Sequence, residues 1–177
     1  MLRSIKRKYG ERQLRKLQKR RHHKPVTVSW QDVKHLGILY HCQSEKDFKQ
    51  IKAFVESLPE KMHVSTLGYT DNKEPEDYQI QPEPYHFFCR ADLNWYEKPA
   101  SDTVANFIQT PFDLLINLSP ESVLPLDFAL TMSHARLIAG QRTEGQQHDI
   151  MIDADPAAPK TFILEQIVRY MKMIKPR

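Results

Sequence analysis

The chain has 177 residues and a formal net charge of +4; 40% of its residues are hydrophobic and 10% aromatic. That length and apolar content suit one domain with a real core and exclude an intrinsically disordered chain. No apolar run reaches the roughly 20 residues needed to cross a bilayer, and the basic start leads into polar residues rather than a signal-peptide core.

The charge is unevenly spread. Residues 1–24 hold eleven of the 26 Lys and Arg but one of the 22 acids, a formal +10, which leaves −6 for residues 25–177. Such a split marks an interaction tail. The chain is therefore read as a basic N-terminal arm, 1–24, and an α/β domain, 25–177. A mitochondrial presequence would also be basic, but Ser-rich, and the arm has Ser4 alone. Within the arm, Leu2, Ile5 and Tyr9, then Leu14 and Leu17, trace a thin apolar stripe on a strongly basic helix. The stripe is enough to dock lightly on the domain while the bases point outward. Pro25 is expected to end the helix.

After the arm the period changes. LGILYH (36–41) reads as a buried strand. SEKDFKQIKAFVESLP follows as a helix, with Ser44 as N-cap, Asp47 three residues on, an apolar face of Phe48, Ile51, Phe54 (or Val55) and Leu58, and Pro59 as its stop. MHVSTLGYT (62–70) is the next strand, so the first three elements form a βαβ unit with parallel strands. DNKEPEDYQIQPEP (71–84) is acidic, carries three prolines and reads as an exposed loop. YHFFCRADL (85–93) is a strand, NWYEKPAS a turn and SDTVANFIQ (101–109) a short helix. FDLLINLS (112–119) is the most apolar strand and is placed centrally. SVLPLDFALTMSHA (122–135) is a helix with Pro125 in its first turn, and ARLIAG (135–140) another strand. QRTEGQQHD reads as a polar turn and IMIDA (150–154) as a last strand at the sheet edge. KTFILEQIVRYMKMI (160–174) closes the chain as a helix, with Phe162, Ile163, Gln166, Ile167, Tyr170 and Met173 or Ile174 on its inner side. The alternation predicts an α/β three-layer sandwich with a mostly parallel, Rossmann-like sheet, preceded by the basic helical arm.

Three stretches carry a resemblance. TPFDLLINLSPESVLPLDFALTMSHARLIAG (110–140), with ADLNWYEKP (91–99) and IMIDAD (150–155), resembles a family of small proteins of unknown function, found mainly in Bacteroidota. Those proteins have a basic N-terminal arm, an FDLLI strand, an LPL-type helix and a small-residue strand ending in Gly. The resemblance covers nearly the whole chain and implies a cytoplasmic bacterial protein; it transfers no catalytic residue. FDLLINLS with the following helix and ARLIAG is also similar to the N-terminal half of two-domain glycosyltransferases, but the second, nucleotide-sugar-binding half is missing from this chain.

Signatures of chemistry are sparse. The five glycines, Gly10, Gly37, Gly68, Gly140 and Gly145, do not cluster after a strand, so a dinucleotide fingerprint, P-loop or GxSxG elbow is disfavoured. Beyond the carboxyl ends of the strands, where open α/β sheets bind ligands, stand His41, Cys42, Asn117 and Ser119. A Cys–His nucleophile needs hydrogen-bond reach, yet strand neighbours point to opposite faces. Asp149, Asp153 and Asp155 near the edge strand read as a solvated edge rather than a metal site. His134 near a helix end is a candidate dipole partner. Trp95 and Tyr96, with Tyr85 and Phe87, are expected to pack the sheet's edge rather than stack bases, because acidic loops surround them. No catalytic residue, metal or cofactor is assigned.

Function therefore rests on the arm. Its bases can each neutralise a phosphate without regard to sequence, so the expected partner is RNA, such as that of the ribosome. The residues expected to grip it are Arg3, Lys6, Arg7, Lys8, Arg12, Arg15, Lys16, Lys19, Arg20 and Arg21. Three alternatives are weighed: a peripheral membrane protein anchored by the arm, a small α/β enzyme or domain binding a nucleotide or sugar nucleotide in the strand-end crevice, and a helix that merely docks on its own or another protein's acidic surface.

Overall fold

The computed structural model describes residues 1–176. It orders the chain as α1 (Leu2–Arg20), β1 (His35–His41), α2 (Glu45–Glu56), β2 (His63–Tyr69), β3 (Tyr85–Phe88), α3 (Asp102–Gln109), β4 (Leu114–Asn117), α4 (Leu124–Met132), β5 (Ile138–Gln141), β6 (Ile150–Ile152) and α5 (Lys160–Met173). The six strands form one sheet in the order β3-β2-β1-β4-β5-β6, every neighbouring pair parallel. This is the doubly wound order, which reverses direction between β1 and β4. The apolar FDLLINLS segment supplies β4, at that central seam, and β6 lies at the edge.

Both sheet faces are covered, which explains the near-continuous apolar runs of β1 and β4. On one face Leu36, Ile38, Tyr40, Leu114 and Ile116 meet Phe48 and Ile51 of α2 and Ile163, Leu164, Ile167 and Met171 of α5. On the other, Leu39, Leu67, Leu115 and Ile138 meet Val104 and Phe107 of α3 and Leu126, Ala129 and Leu130 of α4.

A further layer lies outside α4. All residues from Leu124 to Thr131 are buried, and a helix buried on every side must be covered beyond the sheet as well. The outer cover is α1: Leu14 packs with Leu124 and Phe128, flanked by Leu17, Tyr96 and Met132. Burial of each large side chain contributes about 1.5–3 kcal/mol. Gly10 allows the approach. A Cβ there would stand 2.3 Å from the carbonyl oxygen of Tyr96, so the chain accepts the roughly 1 kcal/mol that glycine costs a helix relative to alanine.

Local structure departs from the sequence reading in five places. On α5 the sheet takes the row Ile163, Leu164, Ile167 and Met171, so Phe162 and Tyr170, expected on the inner side, are exposed. Helix α1 stops at Arg20, not at Pro25, because Arg21 turns extended and the chain is drawn to the sheet, where Val26 N–H donates to Arg136 O at 3.0 Å. The arm's stripe is narrower than expected: Leu2 and Ile5 are 75% and 60% exposed, and contact falls to Tyr9, Gly10, Leu14 and Leu17. The third strand ends at Phe88, where Cys89 N–H donates to Asp92 Oδ2 at 2.8 Å and starts a 3₁₀ turn, Arg90–Asp92. The QRTEGQQHD segment is not merely a surface turn, since Gln146 and His148 are buried.

Candidate nucleic-acid interface

Docking sorts the arm's side chains. Arg3, Lys6, Arg7, Lys8, Arg12, Arg15, Lys16, Lys19 and Arg20 are exposed, and Arg21 is half-buried. Among the described residues, the one ion pair that any of these ten makes is Arg7 Nε with Glu11 Oε1 at 3.3 Å, within α1 itself. The domain's carboxylates meet the arm further along, where Asp149 Oδ2 lies 2.8 Å from His23 Nε2. Burial lowers the pKa of Arg21 while Asp149 acts against that shift.

The aromatic turn does not pack the sheet's edge; it receives α1. Tyr9 stacks on Trp95 at 4.8 Å between centroids, and Tyr96 stands edge-on to both at 5.4 and 5.1 Å. Tyr85 and Phe87 instead pack against Phe48 beneath α2. The turn is fixed by Asn94, whose Oδ1 accepts Tyr96 N–H at 3.1 Å and Lys98 N–H at 3.0 Å, and by Glu97, whose φ of 68° lies in the left-handed region.

Where the chain leaves α1, a groove of about 600 Å³ runs between Leu17–Val26 and the end of α4. Arg20, His22, Lys24, His134 and Arg136 are among the residues that line it, and no Asp or Glu of the described residues does. Arg136 is tied to Asp113 at 3.1 Å; His134 lies two residues beyond α4 and is exposed. The groove therefore sets the arm's Arg20 and Lys24 beside an arginine whose charge the domain already pairs.

A second hollow, of about 520 Å³, lies over the carboxyl ends of β1 and β2. Arg3 and Arg7 reach it from α1; His41, Asp71, Arg90, Glu97 and Glu121 line it from the domain. His41 Nε2 lies 3.0 Å from Asp71 Oδ2, and its ring stacks on Tyr69. Cys42 points away, into the core beneath α2, 3.8 Å from Tyr78 Oη. Burial raises its thiol pKa, which suits a packing residue rather than a nucleophile. At the N-terminus of α2, where doubly wound folds hold a pyrophosphate, Asp47 Oδ2 accepts Gln43 N–H at 2.9 Å and Ser44 N–H at 3.2 Å. Lys160 Nζ donates to the other oxygen at 2.9 Å. The anion position there is filled by the chain's own carboxylate.

Asn117 is drawn elsewhere. Its Nδ2 donates to Gln146 Oε1 at 3.1 Å and lies 3.2 Å from His148 Nε2. Gln146 Nε2 donates to Asp127 Oδ1 at 2.6 Å, and Ser122 Oγ donates to the other carboxylate oxygen. Burial raises the pKa of Asp127 and lowers that of His148 to about 4. Gly140 makes room: a Cβ there would lie 2.7 Å from His148 Nε2. His41, Cys42 and Asn117 thus go to three different environments. At the edge, Asp153 pairs with Arg142 at 2.6 Å and Asp155 Oδ1 accepts Ala157 N–H at 2.7 Å.

No helix of the described residues is long and apolar enough to cross a membrane. No curated protein and no solved structure matches the chain. The family described as Family of unknown function (DUF6913) matches residues 6–174, a stretch that takes in most of α1 together with the sheet and its helices, and the chain belongs to that family.

Proposed function

We propose that the protein binds RNA, as a free chain or within a ribosome, through the cationic face of docked α1, and that it does so without a catalytic step. One observation carries this reading: nine of the ten bases of α1 and its end stay exposed, and the domain's acids leave them unpaired. A helix kept only to neutralise the domain would place all of those bases against its carboxylates, whereas of the nine exposed ones Arg3 and Arg7 are those that reach the cleft of Asp71, Glu97 and Glu121. Each free base can instead displace a counterion from a phosphate. The groove at the end of α1 extends the same chemistry to Lys24. Purifying the full-length protein from native lysate, with and without nuclease, tests the reading. RNA should accompany the protein and be lost from the Lys8→Glu, Arg12→Glu, Lys16→Glu triple variant. RNA recovered equally with both proteins, or with neither, defeats the reading.

A second reading is favoured by the cleft at the strand ends, the usual ligand position in open α/β sheets. Arg3 and Arg90 fit a phosphate, and Glu97 and Glu121 fit hydroxyl groups, so the matching ligand is a nucleotide or sugar nucleotide. A thermal-shift panel of such compounds on the full chain tests it. Stabilisation that Arg90→Ala abolishes supports the reading, and a panel without a hit removes it.

A further inference from the structure

We propose that Trp95 is a base-stacking platform and that the RNA held by α1 is single-stranded. The proposal rests on the RNA reading above and names the form of RNA taken. Trp95 is 57% exposed, unusual for an indole whose neighbours hold it in place. Tyr9 covers one of its faces at 4.8 Å with 30° between the planes, and Tyr96 braces its edge at 80°. Tyr96 is itself backed by the fully buried Phe128 at 6.2 Å. The Asn94 turn fixes the backbone beneath. The open face is therefore presented in one orientation, with little entropy left to lose when a ring stacks on it.

Charge completes the site. Helical spacing places Lys6, Arg12 and Lys16 three, three and seven residues from Tyr9, on the flank that carries Trp95. All three are exposed. Glu97, the acid of the turn, lines the cleft. Rigid aromatic faces beside a cationic track are how unpaired strands are held, since every base offers a π-face and every nucleotide a phosphate. A duplex keeps its bases stacked inside and offers only phosphate. An anionic membrane is the other surface that takes basic residues with an exposed Trp. It asks for a broad apolar face, whereas this flank alternates Leu2, Ile5 and Tyr9 with Lys6, Arg12 and Lys16.

The test uses the full chain carrying Trp30→Phe, so that Trp95 is the sole tryptophan. It is titrated at about 50 mM salt with a 12-nucleotide oligouridylate, a 12-base-pair RNA duplex, and phosphatidylserine vesicles. Single strand should quench Trp95 emission, while duplex binds with emission unchanged. In the Trp30-containing protein, Trp95→Ala should weaken single-strand binding between about 5- and 100-fold and leave duplex binding within about twofold; Trp95→Phe should restore much of the loss. If Trp95→Ala weakens both forms equally, the ring only seats the arm and the proposal falls. It also falls if vesicles alone shift the emission. Should both RNAs bind identically, sensitive to α1 charges but not to Trp95, the RNA reading stands and this proposal fails; should neither bind, both fail.

Discussion

Helices α1 and α5 stand near opposite ends of the chain, and both are amphipathic, but they bury different things. Helix α5 lays Ile163, Leu164, Ile167 and Met171 directly on the sheet. Helix α1, five residues longer, buries only Gly10 and Leu14, and buries them on another helix. The contrast shows where each sequence is invested. The inner face of α5 holds the fold together. Most of α1 is surface, held by one narrow contact and an aromatic turn, with its charge left over.

The sharpest break in this comparison should come from the core helix. Ile167→Ala should cost about 2–5 kcal/mol in chemical denaturation and leave RNA affinity per folded molecule unchanged. A comparable loss of affinity would mean that α5, not α1, forms the interface.

The sheet face toward α1 also carries the buried Asn117–Gln146–Asp127 network with His148, and this side should answer to pH. The folded-state pKa of His148 is about 4, below its unfolded value near 6.5. The stability that follows is complete above pH 6.5 and is lost as pH falls toward 4, on the order of 3 kcal/mol. Denaturation midpoints of wild type and His148→Gln across that window check this. Parallel pH profiles would contradict it.

A smaller effect is expected where α1 docks. Gly10→Val drives a side chain into the Tyr96 carbonyl and should cost about 1–3 kcal/mol, with α1 becoming open to trypsin while the sheet stays resistant. Smallest of all, replacing Lys8, Arg12 and Lys16 with Ala should change stability by no more than about 0.5 kcal/mol, since all three are exposed. A larger loss would show that the arm's charge serves the fold after all.

Much of this architecture was legible locally. The βαβ spacing from LGILYH to MHVSTLGYT, the β4 apolar run and the existence of α5 each follow from periods of two or 3.6. The face α5 buries was only half legible: Ile163 and Ile167 face the sheet as expected, but Leu164 and Met171 join them in place of Phe162 and Tyr170. The arm's light docking was legible as a thin apolar stripe, but not its partner: Leu124 and Phe128 of α4, flanked by Met132, form an apolar row whose cover, Leu14 and Leu17, lies far away in the chain. What escaped the sequence depends on residues far apart in the chain. Tyr9 meets Trp95 only because Gly10 lets α1 slide against a distant turn. That contact brings cations to aromatics whose own loops are acidic, the feature that argued against base stacking. Gln146 and His148 looked like turn residues because their partners, Asn117 and Asp127, lie on β4 and α4. The early end of β3 turned on a single carboxylate, Asp92, capturing the Cys89 N–H.

The salt dependence of RNA binding by the intact chain tests the central claim most directly. If six to ten bases of the arm meet phosphates of a single strand, log K should fall against log salt concentration with a slope of about −4 to −7. The Lys8→Ala, Arg12→Ala, Lys16→Ala variant should be shallower by about 2. A slope near zero, or one that the variant leaves unchanged, would contradict the assignment of the phosphate interface to α1.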